Sequence, residues 1–313
     1  MFNNANFDDM LRFLLILCFC SIIANLDAKE KVDSIHLNRP LNSKRLAITT
    51  GGLSTFWVGS SIGLWNVWYA DHSTGKFHFF NDASDWLYTD KAGHVFTAYQ
   101  LSKVAKKSFK WCGIDEKKSI WIGTAFGIGY QSTLEIMDGF SSGWGFSWAD
   151  MASNSIGGIL FSTQELIWKE QRILPKFSYH PTGYARIRPE VLGYTHVERL
   201  LKDYNGQTYW LSFSPSRFLK NSSIPKWICL SIGYSPDAKL VGDQNTYTDY
   251  SVNNSFTYRA KQQWLLSLDI DFNSLPIRRK WLKTLIEPLN LIKIPFPALI
   301  LSNGKVNGNW LYF

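Results

Sequence analysis

The chain reads as an α+β protein: an N-terminal four-helix bundle of the membrane or envelope type, followed by an antiparallel, β-rich C-terminal part. Three observations predict this. Between about residues 50 and 170, long weakly charged segments carry helical periodicity and glycines at helix-packing spacing. From Pro175 onward the apolar residues instead alternate, as in "KWICLSIGYS" and "WLLSLDIDFN". The 313-residue chain is 45% apolar and 16% aromatic, with 14 Trp but only 19% charged residues. Soluble domains use about 25% charged residues, so this balance favours a membrane-associated or tightly packed envelope protein and excludes general disorder.

The elements follow in order. Residues 1–28 read as a signal peptide: behind Arg12, "FLLILCFCSIIA" (Phe13 to Ala24) is too short to span a bilayer comfortably and suits a signal core, with Ala24 or Ala28 before the cut. Asp8 and Asp9 depart from the usual basic flank, and Cys20 follows Leu-Cys-Phe, a poor lipidation context. A retained anchor and a lipid-bearing Cys20 are the alternatives. Cleavage after Ala28 raises the formal charge from +8 to +10, which suits anionic envelope lipid or polysaccharide. Nucleic acid is not expected as a partner, because the basic residues form no aromatic-interleaved module. Cys112 and Cys229 then remain, free or paired.

Residues 29–48 read as a polar linker and 49–172 as the helical bundle. Gly51 to Ala70 is charge-free for twenty residues, long enough to cross a bilayer or to lie in a core, with Gly59 and Gly63 at small-xxx-small spacing. "HSTGKFHFFNDASDW" is a loop. Helices follow over Asp90–Phe109, Ser119–Gly139 (with Gly123 and Gly127 again four apart) and Ser147–Trp168. Residues 173–313 are the β-rich region, with a short basic helix near 277–286 ("IRRKWLKTLI") that suits a membrane surface or a sheet cap. The strands fit a half-exposed sheet, or outer-membrane strands whose outward face is apolar. They are too few to close a barrel, and Phe313 is a terminal aromatic residue of the outer-membrane kind.

The chemistry-bearing residues come in pairs at helical spacing. Asp90 and His94 lie four apart, Glu135 and Asp138 three apart, Asp150 and Asn154 four apart, so each pair shares a helix face. Converging, they would form a hard-cation site through Asp90, His94, Glu135, Asp138 and Asp150. Alternatively His94, Glu135 and Asp138 would work as acid/base groups, with Lys91 and Asn154 in support. The cofactor is left open by the sequence, a divalent metal being one that these residues would suit. Ordinary roles compete: Asp90 as a cap residue, His94 as a packing residue, and Ser147 to Asp150 as a capping box. Glu135 and Asp138 resist that reading, since acids in the last turn of a helix oppose its dipole by about 0.3–1 kcal/mol each and need a compensating partner. No nucleophile elbow, phosphate-binding glycine loop, CxxC pair or HExxH helix occurs. His180 and His196 have no partner pattern. Asn205-Gly206 in "KDYNGQTYWLS" reads as a tight turn, although Asp203 and Tyr204 could face the helical site.

"DKAGH", "EIMDGFSSGWGFSWADMASNSIGG" and "KDYNGQTYWLS…IPKWICLSIGY" together resemble the YfiM-like predicted periplasmic lipoproteins, a family of unknown function, over about residues 85 to 235. The first two blocks more distantly resemble the VanZ-like membrane proteins, whose motif positions would fall on Asp90, Lys91, His94, Glu135, Asp150, Asn154 and Gly157. The resemblance implies an exported envelope protein, periplasmic or outer-membrane-associated, with a helical core and membrane or envelope lipids as partners. It implies no reaction. The expected function is therefore that of a bacterial envelope protein with a polar, acidic site, suited to metal-assisted or acid/base hydrolysis of an envelope lipid or cell-wall component. The alternatives are a non-catalytic outer-membrane structural or assembly protein and a lipid-binding protein.

Overall fold

A computed structural model describes residues 40–69, 72–250 and 255–313. The expected signal peptide and residues 29–39 of the expected linker lie outside the described residues. Contacts divide the described chain into a helical unit (40–83 and His94–Gln171) and a sheet unit (Ser84–Gly93 and Arg172–Phe313). The fold is α+β, four long helices followed by antiparallel strands.

Helix α1 spans Ser43–Leu64, α2 Thr89–Trp111, α3 Glu116–Gly139 and α4 Trp148–Trp168. The first begins inside the stretch expected to be linker, because the Asn42 side chain accepts the Arg45 N–H at 2.9 Å and caps it there. It runs into a π-helical turn, Trp65–Tyr69. None of the helices among the described residues is long and apolar enough to cross a membrane, so the membrane-spanning reading of Gly51 to Ala70 is not supported. Asp115 starts α3 by accepting the N–H groups of Lys117 and Lys118.

The two glycine pairs, alike in sequence, have different fates. A Cβ on Gly127 would lie 2.4 Å from the Ala98 carbonyl oxygen, and one on Gly123 2.5 Å from that of Ser102. Helix α3 therefore packs backbone to backbone on α2. From the other side, a Cβ on Gly157 of α4 would lie 2.3 Å from the Val95 carbonyl. Around these contacts Tyr99, Ile120 and Phe161 are buried together. Gly59 and Gly63 of α1, by contrast, face open space.

In the sheet unit, β1 (Ile173–Tyr179), β2 (Gln207–Phe213), β3 (Ile228–Asp237), β6 (Lys261–Ile270), β7 (Phe296–Ser302) and β8 (Lys305–Tyr312) form one antiparallel sheet in that order. A separate pair joins β4 (Thr246–Asp249) to β5 (Phe256–Arg259). Short helices α5 (Pro189–Leu192) and α6 (His196–Lys202) lie between β1 and β2, and α7 (Lys280–Ile286) follows β6. Thr195 and Glu198 close a full capping box at the start of α6. Helix α7 begins three residues later than the basic segment suggested.

The alternation is real, but its polarity is the reverse of a soluble half-exposed sheet. On β3 the buried residues are Cys229, Ser231, Gly233 and Ser235, while Ile232 is exposed. On β6, Leu265, Ser267 and Asp269 are buried, while Trp264, Leu266 and Leu268 are exposed. The enclosed face keeps a small apolar cluster, Trp210, Leu265, Ala298 and Tyr312. Its polar groups largely pair with one another, although Asp269 Oδ1 has no hydrogen-bond partner among the described residues. Lys176 pairs with Asp269 at 2.8 Å with neither side chain exposed, and Ser212 donates to the same carboxylate at 2.7 Å. Trp210 donates to Ser178 at 2.9 Å. Cys112 and Cys229 are both free and buried.

The segment before α2 is unusual. Trp86, Leu87 and Tyr88 have φ of 50°, 52° and 66°, a left-handed conformation that costs about 1–3 kcal/mol per non-glycine residue. Tertiary contacts hold it. The Trp86 N–H donates to the Gly242 carbonyl at 2.9 Å, Tyr234 donates its hydroxyl to the Leu87 carbonyl, and the Trp86 ring packs on Tyr204 beside Ala185 and Leu192.

Two expectations follow. Gly127→Ala should destabilise the protein by roughly 1–3 kcal/mol, because a backbone contact must open. Gly63→Ala should be neutral or stabilising by up to about 1 kcal/mol, since it gains helix propensity at no steric cost. Chemical denaturation of the two variants reads this contrast directly. In the sheet, Lys176→Met strands a buried carboxylate and should cost about 3–5 kcal/mol, much of it recovered when Asp269→Leu is added. A double variant no more stable than the single one would show that the pair is not a closed unit.

Candidate functional site in the helical unit

Three helices each bring polar residues one turn apart. Helix α2 supplies His94, α3 supplies Gln131 and Glu135, and α4 supplies Asp150 and Asn154. The imidazole sorts them by chemistry. Its Nδ1 lies 2.9 Å from Asn154 Oδ1 and 3.2 Å from the Gln131 amide nitrogen, so the two carboxamides face one end of the ring. Its Nε2 lies 3.6 Å from Glu135 Oε1 and 3.5 Å from Asp150 Oδ1, so two carboxylates face the other. Glu135, Asp150, Asn154 and Gln131 are buried, and His94 is half-buried.

Two assignments of the ring fit this sorting. With Nδ1 protonated, it donates to Asn154 Oδ1, and Nε2 facing two carboxylates then calls for a proton or a metal ion. With Nδ1 bare, it accepts from the Gln131 amide, and an Nε2–H points at the carboxylates. The 3.5 and 3.6 Å separations exceed good N–H···O hydrogen bonds of about 2.7–3.2 Å. They match ligand atoms around a tetrahedral ion, which at bond lengths near 2.1 Å sit roughly 3.4 Å apart.

The start of α4 explains how Asp150 comes to be available. Ser147 caps the helix, its Oγ accepting the Asp150 N–H at 3.1 Å. A complete capping box would return the Asp150 carboxylate to the Ser147 N–H. That N–H donates instead to Glu135 Oε2 at 3.3 Å, and Asp150 reaches His94. The Ser147 hydroxyl in turn donates to Asp82 Oδ1 at 2.5 Å. An aromatic surround lies nearby: Phe77, Phe79, Phe146 and Trp148 pack edge to face or stacked.

Asp138 is engaged elsewhere. Its Oδ1 accepts the Tyr69 hydroxyl at 2.5 Å, and burial, with the Asp138 charge second, pushes the Tyr69 phenol well above its ordinary range. Asp90 sits one turn before His94 on α2 but groups with the sheet unit. Within the sheet unit it pairs with Lys91 at 3.0 Å and accepts the Tyr204 hydroxyl at 2.9 Å. Asp203, by contrast, accepts from Thr182 and Asn205 in its own loop. Gln131 was not anticipated from the sequence. It stands four residues before Glu135, the same spacing that pointed to Asn154 from Asp150.

The matched region encloses His94, Gln131, Glu135, Asp150 and Asn154. Residues 78–163 match the family of predicted periplasmic lipoproteins of unknown function (DUF2279). The match supports an exported, cell-envelope protein and takes in both helical blocks of the sequence resemblance. It stops before "KDYNGQTYWLS", so the third block lies outside the family segment. The VanZ-like resemblance rests on its motif pieces alone. No curated protein and no solved structure matches the chain.

The geometry separates Asp138 from the His94 cluster, and this is testable. Tyr69→Phe should lower stability by about 1.5–3 kcal/mol through loss of a hydrogen bond to a charged group, while leaving any metal response of the protein unchanged. A changed metal response would return Asp138 to the cluster.

Proposed function

We propose that this is a cell-envelope protein whose helical unit holds a divalent cation on His94 Nε2, Glu135 and Asp150. The observation supporting this is the segregation around His94. A carboxamide oxygen lies 2.9 Å from Nδ1, and two buried carboxylates meet the opposite nitrogen at ligand-to-ligand distance. Metal-bound histidines ordinarily donate their other N–H to such an oxygen, which fixes the ring and its tautomer. Gln131 and Asn154 are thus positioning residues, and the Ser147 N–H orients Glu135.

Three protein ligands leave a coordination position for water, the arrangement of hydrolytic metal sites. The ion would lower that water's pKa. The reaction class that fits is hydrolysis of an envelope lipid or cell-wall component. A second reading has its own support: the bonds from His94 to Asn154 and from Ser147 to Glu135 would also serve an imidazolium that only ties the helices together.

Thermal denaturation of the chelator-treated protein, with and without added Zn²⁺ or Mn²⁺, distinguishes the readings. A bound ion should raise the midpoint by mass action, by the equivalent of about 2.7 kcal/mol at a hundredfold excess over Kd. His94→Ala should abolish that rise. A midpoint indifferent to chelator and metal would establish the imidazolium network and end the metal proposal.

A further inference from the structure

The six-stranded sheet carries its apolar residues on the wrong side for water. Leu211, Ile232, Leu266 and Leu299 stand opposite one another across β2, β3, β6 and β7, and all four are exposed. The next outward row, Trp264, Leu301 and Val306, continues the band onto β8. No charged side chain interrupts these rows. The opposite face encloses the Lys176–Asp269 pair and the linked serines. Enclosing ions while exposing leucines is unfavourable in water, but it is the natural polarity for a sheet whose outer face meets hydrocarbon.

We infer that this face seats the protein into one leaflet of an anionic lipid bilayer. The charge distribution matches that occupant. At one end of the band, next to Trp264, stand exposed Lys261 and Lys305. Beyond the other end, after β6, come exposed Arg278, Arg279, Lys280 and Lys283, with Trp281 and Leu285 exposed among them on α7. Aromatic and basic residues bordering an apolar band fit the headgroup region, where their amphipathic side chains and charges are both satisfied. Trp310, 89% exposed at the sheet's last strand, belongs to the same border.

Magnitude decides between seating and spanning. From Trp264 to Leu268 the outward apolar stretch of β6 is about 15 Å long at the rise of an extended strand. A bilayer's hydrocarbon core is about 30 Å thick, and spanning strands need 9–11 residues. The band is therefore too short to span, and the sheet lies with this face on one leaflet, both basic borders at the headgroups. A second copy packed face to face would also cover the leucines, but it would bring the two basic borders into register with each other. Anionic lipid neutralises them.

The test compares the full chain with a Leu266→Gln/Leu299→Gln variant, both carrying the same N-terminal residues, on phosphatidylglycerol/phosphatidylethanolamine vesicles with brominated acyl chains. Quenching of tryptophan fluorescence reports depth. The wild type should show quenching that Trp264→Phe/Trp310→Phe largely removes, and the Gln variant should need roughly tenfold or more lipid for the same quenching. Circular dichroism on each variant establishes that the fold is retained. Arg278→Gln/Arg279→Gln/Lys280→Gln should weaken binding to anionic vesicles and leave it less sensitive to salt. Equal quenching in wild type and the Gln variant would overturn the inference. So would a lipid-independent dimer that the leucine substitutions dissolve.

Discussion

The helical unit depends on contact between helix backbones. Gly123, Gly127 and Gly157 let α3 and α4 come against α2 with no side chain between them. Only at that distance can a short imidazole on α2 meet carboxylates from both neighbours at 3.5–3.6 Å. The site's geometry is thus set by residues that carry no functional group. Glycine loses more backbone entropy on folding than any other residue, and here it lets the helices come close enough for one ring to meet side chains from both neighbours.

The sheet unit solves a different problem. Its enclosed surface is largely polar, and burial of hydroxyls, an ammonium and a carboxylate is costly unless each finds a partner. Lys176, Asp269, Ser212 and Ser231 do so in a connected set, and Trp210 joins through Ser178. This gives the interior directional bonds in place of bulk apolar packing. It also explains why few large apolar side chains are fully buried in this unit, although the chain is rich in them.

Much of this was legible in the sequence. Period-two alternation located β3 and β6, and helical spacing paired Asp150 with Asn154. The polarity of the strands was not legible, because alternation fixes which residues share a face but not which face meets solvent. Identical glycine spacing likewise concealed opposite environments at Gly59/Gly63 and Gly123/Gly127. Asp138 illustrates a further limit. Its spacing from Glu135 placed it correctly on the helix, yet Tyr69, nearly seventy residues earlier, takes its oxygen. The start of α4 was read as a capping box, and only half of it forms because Glu135 competes for the same N–H.

The division of the chain has a practical meaning for anyone dissecting it. Residues Ser84–Gly93 group with the sheet unit, although helical-unit residues stand on either side of them in sequence. No single cut yields both units intact. A fragment ending near Gln171 would keep Asp90 and Lys91 but lose Tyr204, Tyr234 and Gly242, which hold the left-handed approach to α2. One beginning near Arg172 would lack that segment altogether. Shuffling, permutation or split-reporter designs must therefore treat residues 84–93 as a strap belonging to the C-terminal half.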